Sequence, residues 1–412
     1  MALTFDYKVR DQKGQLVEGA LDGDSIDLVV RRLREMGYLP VSVKPRSKTQ
    51  MNLKADLNIP GITDRVKLGE LAVATRQLSS MVDSGLSLVR ALSVMVSQVE
   101  NKQLAKVFNE VRLDAEQGLP LSQAFARHPK VFDDLYIAMV QAGETAGTLD
   151  TVLGQLSTTM EKRAAINRRI KSAMTYPAVV ASVMVVILTA MMVFIVPIFK
   201  KIFASLGGAK LPLPTRMVIA VSHTIASIWG LLVLAVIIAL IVAFVKWKNG
   251  PGRRTWDGLK LKFPVFGPLM HKVAMSRFSS SFASLVASGV PILQSLDITS
   301  DTAGNQVVAD VLQEAKEAVR QGRSIAEPFA HHPEIIPNLV TQMVEVGEKA
   351  GSLDAMLMKV SEFYDGEVEA TVNSLASLLE PLMTVVMGIG VGIIVVSLYL
   401  PMFDYVKHVP TS

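Results

Sequence analysis

The chain of 412 residues contains no cysteine, and only 6% of its residues are aromatic. The lack of cysteine excludes a disulfide framework and thiolate chemistry. The Gly-x-x-x-x-Gly-Lys-Ser/Thr and His-Glu-x-x-His motifs are missing, as is a Gly-x-Ser-x-Gly nucleophile elbow. The six histidines are scattered, apart from the adjacent His331 and His332. We therefore expect no enzymatic activity, no catalytic residue and no cofactor, so any nucleotide chemistry would belong to a partner.

Charge is missing from three long segments, residues 178–196, 217–245 and 381–403. Half of all residues are hydrophobic, and the mean hydropathy is +0.37. Each segment reaches the ~20 apolar residues that a helix needs to cross ~30 Å of hydrocarbon. The sequence predicts a polytopic membrane protein with three transmembrane helices, at residues 177–197, 217–245 and 380–402.

The net charge of +5 is concentrated beside these segments. Eleven lysines and arginines flank the first two on their outer sides, against four in the loop between them. The positive-inside rule then places most of the mass in the cytoplasm, with loop 198–216 and tail 403–412 outside. Basic residues are not interleaved with aromatic ones as in single-strand binders, so nucleic acid is not an expected partner.

A nine-residue motif occurs twice, 204 residues apart, and this repeat organises the chain. From Ser84 to Asp150, 22 of 67 positions are identical to their partners at that offset. Apolar residues around both copies recur with helical periodicity. We predict a mainly α-helical fold with two homologous cytoplasmic helical bundles, at residues 67–172 and 246–373.

The first 66 residues differ from the bundles. Residues 1–45 alternate like short strands, with Ser25 as a possible N-cap and Gly37 as the stop of one helix. They are predicted to form a small α+β unit, followed by a linker at residues 46–66.

The repeated motif has the form Gly-Glu-x-x-Gly-x-Leu-Asp. Its residues are Gly143, Glu144, Gly147, Leu149 and Asp150, and in the second copy Gly347, Glu348, Gly351, Leu353 and Asp354. Three interpretations are open: a structural turn between helices, a surface on which a partner docks, or a cation site. The cation site would use the oxygens of Glu144, Asp150, Glu348 and Asp354.

Small residues within the spans indicate close helix packing. They are Gly388 and Gly392 in the third segment, and Ala235, Ala239 and Ala243 in the second. Pro177, Glu380 and Pro381 mark the membrane boundaries. Proline and an acid both suit a first helical turn, which gives Glu380 a simple structural explanation.

These residues give the chain a clear resemblance over almost its whole length. The matching motifs are Arg76-Gln77-Leu78, Ser84-Gly85-Leu86-Ser87, both copies of the Gly-Glu motif, Tyr176-Pro177, Pro197-Ile198-Phe199, Leu211-Pro212-Leu213-Pro214-Thr215, Ser288-Gly289-Val290-Pro291, Glu380-Pro381 and Pro401-x-Phe403, with Phe5-x-Tyr7, Gly14 and Gly19 near the N-terminus. The chain resembles the type II secretion F-protein family (the GspF/PilC group), which includes the inner-membrane platform proteins of type IV pili.

The resemblance implies a multi-pass protein of the bacterial plasma membrane that takes part in pilus assembly. Expected partners are a cytoplasmic hexameric assembly ATPase, pilin or pseudopilin subunits, other inner-membrane assembly proteins, the lipid bilayer and further copies of the chain. The alternative within this class is the platform of a type II secretion system. A transporter is a rival from another class, although transporter repeats usually duplicate the spans.

Overall fold

A computed structural model describes residues 3–10, 16–23, 26–45, 66–205, 212–248, 250, 252–264 and 266–407. The chain divides into two compact units, residues 1–65 and residues 66–412. Ser25, most of the predicted linker at 46–66 and the last residues of the predicted tail lie outside the described residues.

The N-terminal unit is a three-stranded antiparallel sheet with one helix. Its elements are β1 (Leu3–Arg10), β2 (Leu16–Gly23), α1 (Ile26–Glu35) and β3 (Leu39–Pro45), and the strand order is β2-β1-β3. Tyr7 faces Gly19 across the β1–β2 pair. A Cβ on Gly19 would lie 2.6 Å from the Tyr7 hydroxyl oxygen, so the ring covers that glycine. Val9, Val29 and Leu33 form the core, which agrees with the predicted α+β unit.

The first copy of the repeat is a helical bundle. Its helices are α2 (Leu68–Asp83), α3 (Leu88–Gln98), α4 (Lys102–Glu116), α5 (Leu121–Ala126), α6 (Asp134–Ala146) and α7 (Leu149–Ala190). Four aromatic rings fill its centre, with Phe125, Phe132 and Tyr136 in mutual contact and Phe108 against Phe132. All four are buried, so burial of apolar surface holds the short helices together.

The second copy repeats this arrangement. After α11 (Arg253–Lys262) come α12 (Gly267–Ala287), α13 (Ile292–Thr302), α14 (Gln306–Arg320), α15 (Ala326–His331), α16 (Asn338–Ala350) and α17 (Leu353–Lys407). Phe278 packs between Phe282 and Phe329 in its core. Each short helix of the first copy has a counterpart 204 residues later.

The membrane segment continues directly from the bundles. α7 passes into a π-helical turn at Met191–Ile195 and then α8 (Val196–Ser205), followed by α9 (Leu213–Ala226) and α10 (Ile228–Lys248). Two helical stretches are long and apolar enough to cross a membrane, Leu149–Phe203 and Leu353–Pro401. They meet α9 in a cluster built on Val196, Val218, Ile394 and Leu398.

The second predicted span needs correction, because residues 217–245 do not form one helix. α9 ends at Ala226, Ser227 has an extended backbone (φ −102°, ψ 173°) and α10 begins at Ile228. A third crossing is counted only if Ala235–Lys248 and Arg253–Lys262, bent by 100°, act as one span. The prediction rests on the absence of charge over residues 217–245. An uncharged composition is compatible with two helices as well as with one.

The predicted boundaries also differ from the structure. α7 runs through Pro177 and α17 runs through Pro381 and Pro401, so bundle and span share one helix in each copy. Much of the predicted loop at 198–216 is helical, because α8 extends to Ser205 and α9 begins at Leu213. The predicted tail starts inside α17, which ends at Lys407.

Candidate functional site

The first motif copy forms a tight turn between α6 and α7. Gly147 has φ 71°, a left-handed conformation that costs glycine nothing and disfavours other residues. The backbone N–H groups of Gly147 and Thr148 both donate to the Gly143 carbonyl oxygen and close the end of α6. Gly351 repeats the turn with φ 67°, and Ser352 donates to Gly347.

The first glycine of each motif lets two helices cross closely. A Cβ on Gly143 would lie 2.9 Å from the Cβ of Val152 on α7. On Gly347 it would lie 2.9 Å from the Cα of Leu353. Real Cβ atoms do not approach that closely, so both positions exclude a larger residue.

The motif glutamates reach back to the start of another helix. Glu144 Oε1 accepts from the Leu121 N–H at 2.6 Å, and Oε2 accepts from the Ser122 N–H at 3.2 Å and the Ser122 hydroxyl at 2.7 Å. These N–H groups open α5 and have no partner within their own helix. The carboxylate thus caps α5 and lies where a helix favours negative charge.

Glu348 makes the corresponding contacts in the second copy. It accepts from the Ile325 N–H at 3.1 Å and from the Ser324 hydroxyl at 2.5 Å, just before α15. Sequence reasoning placed the acids at a turn and missed these caps, because the capped residues lie more than 20 positions upstream. Ser122 and Ser324, two hydroxyls near these helix starts, were the available signal.

The motif aspartates have a different position. Asp150 and Asp354 lie in the first turns of α7 and α17, where an acid is favourable. The Asp150 carboxylate accepts a long hydrogen bond from the Thr151 hydroxyl, at 3.5 Å. Within the described ranges no group of three or more His, Cys, Asp or Glu side chains is arranged to hold a metal ion. The docking interpretation stays a prediction.

A polar ladder joins the two copies of the repeat, and the sequence did not predict it. Four residues of α7 face three residues of α12 and Ser288, which caps its C-terminal end. The pairs are Gln155 with Ser288 (3.0 Å), Thr159 with Ser284 (2.8 Å), Arg163 with Ser281, and Asn167 with Arg277 (3.0 Å). Ser281, one of three consecutive serines at 279–281, therefore belongs to the contact between the bundles.

Two arginines of this ladder are partly buried. Burial lowers the pKa of the Arg163 guanidinium, against the opposing effect of Asp133, whose carboxylate lies 3.5 Å away. Burial also lowers the pKa of Arg277. Arg163 Nε has no hydrogen-bond partner among the described residues. A buried cation with an incomplete shell is costly, so the seam between the copies is not optimised for stability alone.

The two long helices run parallel beside this ladder. Lys162 Nζ lies 3.9 Å from Met358 Sδ, Arg169 pairs with Glu369, and a Cβ on Gly390 would lie 3.4 Å from Leu188. The residue numbers rise together on both helices, which fixes their relative direction. Below these contacts Ile166, Ile170 and Ala173 of α7 pack into the groove between α12 and α17.

The small residues that were predicted to pack between the spans do not pack closely against another described helix of the chain. Ala235, Ala239 and Ala243 are exposed in the isolated chain. Gly390 contacts Leu188, whereas Gly388 and Gly392 have open space where a Cβ would lie. Their role in packing between chains remains a prediction.

The predicted boundary residues of the two copies meet. Pro177 and Glu380 line one small cavity of about 60 Å³. The repeat therefore brings Tyr176-Pro177 and Glu380-Pro381, its corresponding dipeptides, to the same level of the parallel helix pair.

The geometry describes a duplicated helical scaffold with apolar spans. Comparison with known families agrees. The family described as "Type II secretion system (T2SS), protein F" matches residues 74–197 and 278–401, and its N-terminal domain family matches residues 1–44. The two larger matches are offset by 204 residues, as the repeat requires. The chain belongs to the type II secretion system protein F family.

Several related proteins match nearly the whole length of the chain. The type IV pilus assembly protein PilC of Thermus thermophilus is 41% identical over 98% of both chains. PilC of Myxococcus xanthus is 37% identical over 97% of this chain and 94% of its own. The type II secretion system protein F of Pseudomonas aeruginosa is 30% identical over 97% of this chain and 98% of its own. The chain is thus a full-length relative of both groups.

Proposed function

We propose that this protein is the inner-membrane platform of a type IV pilus assembly machine. In this role it couples a cytoplasmic assembly ATPase to the insertion or extraction of pilin subunits, and is not itself an enzyme. The observation that carries the proposal is full-length similarity to pilus assembly proteins, at 41% and 37% identity, above the 30% for a secretion protein F.

The architecture supports a mechanical role. α7 and α17 each continue from a bundle into an apolar span, so a force on a bundle reaches the membrane through one helix. The bundles offer the ATPase a large surface and the spans offer pilin an apolar one. Most of the mass lies in the cytoplasm in this proposal, and the third crossing uses the bent pair around α10.

The alternative is the platform of a type II secretion system, since relatives named as its protein F also match over the whole chain. The same scaffold would then serve a pseudopilus and protein export. The two roles differ in what the cell loses when the protein is removed.

Deletion of the gene separates them. We expect loss of surface pili with secreted proteins unchanged, and recovery on complementation with the wild type. Loss of secretion with pili intact would assign the secretion role. If both persisted, the platform function would be wrong, and solute flux through the reconstituted protein would then test the transporter reading.

A further inference from the structure

The contact between the two copies uses different faces of the same module. The first copy contributes α7, through Gln155, Thr159, Arg163 and Asn167, and the second contributes α12. Contacts of unlike faces are heterologous, and they leave one copy of each face unused. The unused faces are the counterparts of this ladder, on α2 at one end and on α17 at the other.

None of the described residues covers the unused α2 face. Shifting the α12 residues of the ladder back by 204 positions gives Val73, Gln77, Ser80 and Ser84, all of them exposed. Their counterparts Ser281 and Ser284 are fully buried in the second copy. The first copy therefore covers this face of the second copy, whereas the same face of the first copy is exposed.

The unused α17 face is open at its cytoplasmic end. Shifting Gln155 and Thr159 forward by 204 positions gives Lys359 and Phe363, both exposed. Phe363 is 49% exposed, a large aromatic ring in solvent at the position of a buried threonine. Phe363 therefore offers an aromatic contact surface at the open end of this face.

The groove beside α2 also differs between the two copies: it is filled in the second copy and open in the first. In the second copy the groove lined by Val273, Val368, Val372 and Leu375 is filled by Ile166 and Ile170 of α7. In the first copy the corresponding groove is open, with a volume of about 1050 Å³. Its walls include the counterparts of those four residues, namely Gly69, Ala164, Arg168 and Lys171.

We propose that a second copy of this chain fills this groove with α17. The counterparts of Ile166, Ile170 and Ala173 are Ala370, Ser374 and Ser377, and all three are exposed on α17. They lie on the helix that bears Phe363, so one helix face presents both the ring and the small residues. The contact that joins the first copy to the second within a chain would then be repeated between the second copy of one chain and the first copy of the next.

Charge favours this occupant. The groove has exposed cations at Arg168 and Lys171, whereas the exposed side of α17 has an acid at Glu362. Glu369 already pairs with Arg169 of its own chain. Among the acids of the groove, Glu70 already accepts a hydrogen bond from Asn101 at 2.6 Å. The intramolecular groove is lined by valine and leucine at these positions, so the contact between chains is the more polar one, as in reversible assemblies.

The direction of the helices suits a membrane. Because α7 and α17 run parallel, the operation that relates the two copies keeps the membrane direction of each helix. Repeating the operation places further chains side by side in the same bilayer. A heterologous contact of this kind closes into a ring when its rotation permits.

The cysteine-free sequence allows a direct test. Thr159 and Ser284 lie 2.8 Å apart in the chain, and their counterparts are Phe363 and Ser80. We would oxidise Ser80→Cys/Phe363→Cys in membranes and run non-reducing gels. Covalent dimers and larger species are expected, in steps of the 44.7 kDa chain. Each single variant is expected to stay monomeric, because a heterologous contact does not bring a residue next to its own copy.

Two pairs serve as controls. Thr159→Cys/Ser284→Cys should form a disulfide within one chain, without a change in mass, and shows that the oxidation works. Leu113→Cys/Phe363→Cys combines the proposed α17 position with an exposed position outside the proposed α2 face, and measures random collision. The Ser80/Phe363 pair should exceed it by at least tenfold.

Three results would overturn the proposal. One is a Ser80/Phe363 pair that stays monomeric while the Thr159/Ser284 control closes. Another is cross-linking by a single variant, which indicates a two-fold contact, and the third is a cross-link to a different protein. As a second measurement, Phe363→Asp should reduce co-purification of two differently tagged copies tenfold, with Leu113→Asp without effect. Equal co-purification would contradict the assigned face whatever the cysteine variants show.

Discussion

Removal of the Glu144 carboxylate gives the sharpest test of the motif. In Glu144→Ala the Leu121 and Ser122 N–H groups lose their acceptor at the half-buried start of α5. Loss of a helix cap costs about 0.5–2 kcal/mol, and a hydrogen bond to a charged group contributes about 1.5–3 kcal/mol. Because water reaches part of this site, we expect α5 to lose about 2 kcal/mol of local stability.

Hydrogen exchange of the full chain in lipid nanodiscs measures this loss. A loss of about 2 kcal/mol corresponds to ~30-fold faster exchange, since 1.36 kcal/mol is a factor of ten. The acceleration should be confined to the peptide that contains Leu121–Ala126. Glu348→Ala is the matched control: it removes one backbone and one hydroxyl contact. It should accelerate exchange in Ala326–His331 by about tenfold and leave α5 unchanged.

The opposite pattern would refute this reasoning. If Glu144→Ala left exchange in α5 unchanged but abolished pilus assembly at normal protein levels, the carboxylate would act on a partner. Glu144→Gln distinguishes charge from shape, because the amide keeps one acceptor oxygen. It is expected to recover about half of the lost stability.

Three further predictions concern packing and charge. Gly143→Ala places a Cβ 2.9 Å from Val152 and should destabilise the first bundle by about 1–3 kcal/mol, seen as a lower Tm; an unchanged Tm would contradict the close crossing. The Arg76 guanidinium lowers the pKa of Glu161 through a hydrogen bond, so this pair stabilises the fold above pH ~4.5, and the effect is lost as pH falls through the lowered pKa. Both side chains are about 40% exposed. Arg76→Gln should therefore lower the free energy of unfolding by under ~1 kcal/mol at pH 7 and leave it unchanged in acid. An equal loss at both pH values would contradict the ion pair. Arg163→Met should match or exceed the wild type in Tm, because methionine has no buried cation to solvate, whereas a large loss would show that the ladder stabilises the fold.

The sequence predicted those features that depend on local pattern. Helical periodicity and the N-terminal strands appear in the structure because each is set by neighbours along the chain. The 204-residue offset appears because the two copies have similar sequences. Gly37 ends α1 with φ 82°, as its position after an apolar helix indicated.

The features that depend on packing could not be predicted in this way. The break at Ser227 lies inside an uncharged window, and hydropathy carries no information on helix continuity. The caps made by Glu144 and Glu348 require the distance between two helices that are remote in sequence. The Arg163–Ser281 contact depends on how one module is oriented against the other. The motifs are the same in both modules, so they do not predict that orientation.

The continuity of α7 makes it a lever. With 42 residues it is ~63 Å long at 1.5 Å per residue. A tilt of only about 5° at the turn after Gly147 would displace its membrane end by ~5 Å, roughly the rise of one helical turn. Two irregularities interrupt this arm, Pro177 inside α7 and the π-helical turn at Met191–Ile195, and each is a point where a helix bends more easily. In the proposed platform role, a small stroke in the cytoplasm would be enough to move a membrane partner by the spacing of one helical turn.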